Sequence, residues 1–184
     1  MAIFTIGHST HPIDEFVGIL QAYGIRHLAD VRIMPRSRHN PQFNQEALAQ
    51  SLQEVGIAYG HMPGLGGLRH ARRDSINTGW RNASFRGYAD YMQTPEFQEN
   101  LETLITLASD VPTAIMCAEA VPWRCHRSLI ADALVARGIP VEEILTAAKA
   151  QPHALTSFAK VEGRTVTYPS VEDDSNLKLE FDAP

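Results

Sequence analysis

"QAYGIRHLADVR", residues 21–32, carries the punctuation on which the fold turns. An amphipathic run stops at Gly24 and an apolar segment starts at once with Ile25. Glycine reaches the left-handed conformation that closes a helix without steric cost, so this joint reads as a helix C-cap feeding a strand. The same joint recurs at Gly56-Ile57 before "AYGHMP" and at Gly138-Ile139 before "PVEEIL". The runs ahead of the joints have helical period: Ile13, Phe16, Val17 and Leu20 share a face, as do Leu48, Leu52 and Val55, then Ile130, Ala133 and Leu134. Start signals agree, with Pro12 after Ser9-Thr10 and Thr94-Pro95-Glu96 ahead of Phe97, Leu101, Leu104, Ile105 and Ala108.

Strands are expected over residues 3–7, 27–32, 57–61, 112–117 and 140–145. Strand and helix alternate with short connections, which predicts an α/β fold: a single domain with a mostly parallel five-stranded sheet flanked by helices on both faces. The connection between the third and fourth strands is different. "PGLGGLRHARRDSINTGWRNASF", residues 63–85, is long, rich in glycine and arginine, and has no clean period. Loops of that length in a small domain are often lids. Gly66, Gly67, Arg69, Arg72, Arg73, Trp80 and Arg81 are therefore expected to form a mobile lid. Residues 1–147 are assigned to the α/β domain and 148–184 to a C-terminal extension, with "GRTVTYP" as a short added strand and an acidic, mobile end.

Composition narrows the function classes. With 44% hydrophobic and 20% charged residues over 184 positions, the chain reads as one soluble globular domain. No apolar run is long enough to span a bilayer, and residues 1–6 are too short for the apolar region of a signal peptide. Two cysteines without a secretory signal point to the reducing cytoplasm and against a disulfide scaffold. The net charge of −5 is concentrated in residues 171–184, where five acids face only Lys178; the rest is nearly neutral. Every cation up to Arg127 is arginine, whose planar fork suits carboxylate and phosphate; genome composition is the competing explanation.

Position separates the two explanations. In an open parallel sheet, ligands bind beyond the carboxyl ends of the strands. The first strand is followed by His8-Ser9-Thr10-His11, and the second by Arg32 and then Pro35, Arg36, Ser37 and Arg38. The third is followed by the long loop, and the fourth by Glu119, Arg124, Cys125, His126 and Arg127 after its terminal Cys117. Four strand ends thus bring arginine and histidine to one rim. Arg32, Arg36, Arg38, Arg124, Arg127 and Ser9 are the expected anion-binding residues. Cys125, at a helix start between Arg124 and His126, is the expected nucleophile, with Glu119 and His8 as acid–base groups. The alternatives are a structural cysteine capping the loop, a Glu119 that only pairs with arginines, and a hydrogen-bonded turn histidine. The Cys117-to-Arg124 spacing is one residue too long for a protein-phosphatase loop. Cys117, Cys125 and His126 lack a C-x2-C knuckle, but zinc or iron ligation stays open, with His8 or His61 as added ligands.

"TIGHST", "LADVR" with Pro35, Ser37 and Arg38, Phe43, "LGG", "FRGYADYM", "MCAEA" and "CHRSLIADAL" occur in an order that resembles the domain-of-unknown-function family four-eight-eight. The resemblance spans residues 3–145 and implies an α/β fold in a bacterial or archaeal type of cytosolic protein, without implying an activity. Where that family commonly carries a histidine in a V-x-H-I strand, this chain has Glu143. The expected function is an enzyme, a hydrolase or transferase, acting on a phosphorylated small molecule or nucleic acid, with no cofactor and no membrane partner. The alternatives are a non-catalytic nucleotide or nucleic-acid binding module, and a metal- or redox-responsive protein using Cys117, Cys125 and His126.

Overall fold

The computed structural model describes residues 2–170. Its strands β1 (Ile3–Gly7), β2 (His27–Asp30), β3 (Ala58–His61), β4 (Thr113–Cys117) and β5 (Val141–Thr146) are parallel and join a sixth, β6 (Lys149–Pro152), in the order β3-β2-β4-β1-β5-β6. The sheet therefore has six strands rather than the five expected, because β6 turns back antiparallel on β5. Its sequence, Lys-Ala-Gln-Pro, is only four residues long and has no β-branched residue, and Pro152 confines it to an edge. The "GRTVTYP" stretch does form a strand, β8 (Thr165–Thr167). It pairs only with β7 (Lys160–Glu162) in a separate hairpin.

Helices α1 (Ile13–Ala22) and α2 (Gln45–Glu54) cover one face, and α3 (Ala83–Tyr91), α4 (Pro95–Asp110) and α5 (Arg127–Val135) the other. The period-2 alternation of the strands sorts the core. Ala114 and Met116 pack with Ile6 and Leu28 beneath α1 and α2, while Ile115 packs with Ile3, Ala29 and Val31 beneath α3–α5. Fully burying each such Leu, Ile or Phe contributes about 1.5–3 kcal/mol. The Gly-Ile joints are Schellman closures. Gly24, Gly56 and Gly138 have φ of 64°, 73° and 75°, and the amides of Ile25, Ile57 and Ile139 donate to the carbonyls of Leu20, Leu52 and Leu134.

Two segments acquire order that their sequences do not announce. Residues 66–82 have no regular secondary structure, yet Asp90 of α3 accepts from the Arg72 amide, the Ser75 hydroxyl and the Asn77 side chain at 2.6–2.8 Å. The chain past residue 147 also packs on the domain: Tyr168 is fully buried and donates to Asp132 of α5 at 2.7 Å. The acidic end, residues 171–184, lies outside the described residues. No helix among the described residues is long and apolar enough to cross a membrane.

Candidate functional site

The connections α1 and α2 leave one face of the sheet and α3–α5 the other, so the loops diverge beyond the carboxyl ends of β1, β2 and β4. A cavity of about 730 Å³ opens there. His8 and Ser9 after β1, Arg36 after β2, Gly67 after β3, and Cys117, Glu119, Arg124, Cys125 and His126 after β4 all line it. The loop carrying Glu119 can lie across the end of β1 only because Gly7 has no side chain. A Cβ at that position would collide with the Glu119 carbonyl oxygen. The two non-glycine residues with positive φ among the described residues, Ser9 (48°) and Leu68 (58°), both line the cavity. Backbone strain of this kind persists where the surroundings over-determine it, commonly at functional sites.

Two of the expected anion ligands are spent on the protein's own groups. Arg32 is 6% exposed and forks onto Asp30 at 2.6 and 2.8 Å, with a further bond to the Phe43 carbonyl. Arg127 is 1% exposed, donates to the Thr5 hydroxyl and the Glu119 carbonyl, and does not line the cavity. A guanidinium at the first turn of α5 points inward there because the helix packs its whole first turn against the sheet. Arg127 holds the site's floor from behind. Arg36 and Arg124 are exposed, line the cavity, and form no ion pair among the described residues. Arg38 is exposed and stands off the cavity.

His8 stacks on Phe43 with ring centroids 4.2 Å apart. Its Nδ1 faces the Ser9 carbonyl at 2.9 Å, which assigns the proton to that nitrogen and leaves Nε2 to accept from Arg32 at 3.2 Å. Burial, reinforced by Arg32 and Arg127, lowers its pKa to about 4 against the Ser9 bond. His8 is a neutral imidazole whose lone pair is already taken. Glu119 is exposed, and its carboxylate accepts from the Val121 amide at 3.2 Å rather than pairing with an arginine.

The cysteines meet at the floor. Cys117 ends β4; Cys125 follows the 3-10 turn Pro122–Arg124, just ahead of α5. The Cys125 Sγ lies 3.7 Å from the Nδ1 of His126, and the His126 Nε2 lies 3.3 Å from the Val31 carbonyl, which therefore takes that ring's proton. The Cys117 thiol donates toward Cys125 and drives the Cys125 thiol well below its ordinary range. Burial opposes this, and the Arg127 charge acts in the same direction as Cys117. The same contact, with burial, pushes Cys117 up. Neighbouring cations were the sequence-based reason for an acidic Cys125; the leading cause in the folded chain is the other cysteine.

Cys117, Cys125 and His126 also offer three donor atoms within 4.8 Å of one another. His8 and His61 do not join them. His8 is engaged by Arg32, and the His61 Nε2 faces the Arg32 carbonyl at 2.8 Å. Tyr88 belongs to the buried core and Phe85 packs against it, yet both also line the cavity. With Ser84 they present one face of α3 to the cavity, which the exposed Met34 and Leu68 also line.

The expected lid residues disperse. Gly67 lines the cavity, but Gly66 is buried against Ile33. Arg69 lies over the Tyr91 ring at 3.6 Å, Arg72 pairs with Asp74, and Arg73 and Arg81 are exposed away from the cavity. Trp80 stacks on Phe85 and packs against Phe158 and Tyr168, so it anchors the loop instead of covering a ligand. The Asp90 bonds and this aromatic cluster tie the segment to α3 and to Phe158 and Tyr168.

A family model described as "Domain of unknown function DUF488" matches residues 12–134. No curated protein and no solved structure matches the chain.

Proposed function

The chain belongs to the DUF488 family of domains of unknown function, and from that premise and the cavity we propose that it is an enzyme, a hydrolase or transferase, acting on a phosphate-bearing substrate of the nucleotide or nucleic-acid class. One observation carries the proposal. Arg36 and Arg124, both without a carboxylate partner among the described residues, line the same cavity as the Cys125–His126 pair. Unpaired guanidinium groups bind phosphate by charge-assisted, often bidentate, hydrogen bonds. The floor where Cys125 and His126 meet is the reactive end, and Glu119 is the exposed carboxylate within the same cavity. His8 contributes by orienting the loop, because its free lone pair accepts from Arg32.

The rival reading is a non-catalytic nucleic-acid module using Arg69, Arg72, Arg73 and Arg81. It is weakened by the partners already held by two of those four, Tyr91 for Arg69 and Asp74 for Arg72.

Thermal unfolding with inorganic phosphate, mononucleotides and short oligonucleotides tests the proposal. A ligand at a hundred times its Kd stabilises by about 2.7 kcal/mol. That shift is expected in the native chain and is expected to vanish in the Arg36→Ala, Arg124→Ala double variant. Absence of a shift with all three ligand types, or a shift untouched by the double variant, rejects this site.

A further inference from the structure

Resting on that reading of the cavity, we propose that Cys117, Cys125 and His126 bind a divalent transition-metal ion of the thiolate-seeking kind, zinc foremost, with an open coordination position facing the cavity. Sulfur and imidazole donors together select zinc, and iron(II) less strongly, over oxygen-seeking magnesium or calcium.

Geometry supports this at three levels. The separation of donors comes first. Zinc–sulfur bonds of about 2.3 Å and zinc–nitrogen bonds of about 2.0–2.1 Å at a tetrahedral angle put sulfur and nitrogen about 3.6 Å apart. The Cys125 Sγ and His126 Nδ1 stand 3.7 Å apart, and all three donors fall within 4.8 Å. A distance of 3.7 Å is long for an S–H···N hydrogen bond and near the edge of a zinc tetrahedron.

Ring orientation is the second level. The proton on Nε2 is directed to the Val31 carbonyl, so the Nδ1 lone pair is free and faces the sulfurs. A metal-bound histidine characteristically donates its other ring N–H to a carbonyl or carboxylate in this way. The Tyr88 ring, 5.1 Å from the imidazole, packs against it and restricts rotation. Beside Nδ1 the chain places Gly67, where even a Cβ would come within 3.0 Å of that nitrogen. The space around the lone pair is kept clear by a residue without a side chain.

The third level is the number of ligands. Structural zinc sites are closed by four protein ligands, whereas catalytic ones hold three and leave the fourth position to water or substrate. No fourth His, Cys, Asp or Glu joins the trio among the described residues, and all three members line the cavity that Arg36 and Arg124 also line. An ion there would present its open position to an anion gripped by those arginines.

The test uses the full chain, purified without a metal-chelating tag. Elemental analysis is expected to find close to one zinc or iron per chain. After chelator treatment, cobalt(II) is expected to restore a thiolate-to-cobalt charge-transfer band in the near ultraviolet, a signature that needs no assay of activity. His126→Ala, Cys117→Ser and Cys125→Ser are each expected to weaken zinc binding at least tenfold, while His70→Ala, an exposed histidine off the cavity, leaves it unchanged. The metal content and cobalt spectrum of the native chain decide the matter even if a cysteine variant fails to fold. Metal-free protein that neither takes up zinc in tenfold excess nor gives the cobalt band overturns the proposal. Phosphate shifts measured on stripped and loaded protein keep the two ideas apart. A shift without any metal uptake removes the metal and leaves the anion site. Metal uptake without a shift supports the metal site and removes the anion reading.

Discussion

His153 and His8 show how far two identical side chains are driven apart by what surrounds them. His153 lies between two carboxylates, with Nε2 2.8 Å from Asp132 and Nδ1 2.8 Å from Glu143. Burial alone would depress its pKa; the two carboxylates outweigh that and hold it at about 9. His8, buried beside cations, is lowered to about 4. The consequences for stability have opposite sign. His153 binds its proton more tightly when folded, so its contribution is complete below the unfolded value near 6.5 and is lost as pH rises through 9. His8 stays a neutral imidazole when folded and takes up no second proton until near 4, so stability falls as pH drops from about 6.5 toward 4. The melting temperature is expected to peak near pH 6.5 and to fall on both sides by a few degrees, at roughly 2–4 °C per kcal/mol for a domain of this size. His153→Gln should flatten the alkaline limb and leave the acid limb. An alkaline limb that survives the substitution assigns it to another group. None of this is legible at residue level, since Asp132, Glu143 and His153 are separated by 10 or more positions and meet only when β6 folds onto β5.

At the scale of elements, the 66–82 segment is where periodicity is silent. It has no helical or strand period because its order comes from outside. Asp90, which is 5% exposed on α3, serves as acceptor for three donors of the loop. A reading that treats glycine and arginine as signs of mobility cannot see a carboxylate 13 to 18 residues downstream. Asp90→Ala leaves the Asn77 side chain, which is fully buried, and the Arg72 amide without their acceptor. An unsatisfied buried group costs about 1–3 kcal/mol. The expected result is faster amide hydrogen exchange across residues 72–78, with α1 and α2 unaffected because they lie on the other face of the sheet. Unchanged exchange in that segment would mean that the Trp80 cluster alone holds the loop.

For the whole molecule, the question is where the domain ends. Residues 148–170 supply β6, the imidazole between Asp132 and Glu143, and Tyr168, whose hydroxyl takes the second oxygen of Asp132. Ending the chain after Ala147 strips Asp132, fully buried on α5, of its His153, Thr156 and Tyr168 donors at once. A buried carboxylate without partners is among the costlier defects a core can carry. The shortened chain is expected to lose cooperative thermal unfolding and to bind a hydrophobic dye. A cooperative transition retained within a few degrees of the full chain would place the domain boundary near residue 147.

The sequence by itself determined the parallel α/β framework, since that framework is written in local signals. Gly24, Gly56 and Gly138 close helices through their own backbone freedom, and the alternation at residues 114–116 sorts side chains between two faces through strand geometry. It also brought His8, Arg36, Glu119, Arg124 and Cys125 to one rim, because in a parallel sheet the strand ends that precede them must lie side by side. Only the tertiary structure decided which charges remain available there. Arg32, Arg36, Arg124 and Arg127 are alike in sequence. Asp30, Thr5 and the Glu119 carbonyl take up the first and last of them, while the other two form no ion pair among the described residues. The juxtaposition of Cys117 with Cys125 and His126 is likewise tertiary: it follows from β4 and α5 meeting at a single turn whose close approach to β1 depends on Gly7. Hydrogen-bond satisfaction in a low-dielectric interior is set by neighbours in space, and a linear pattern carries no record of them.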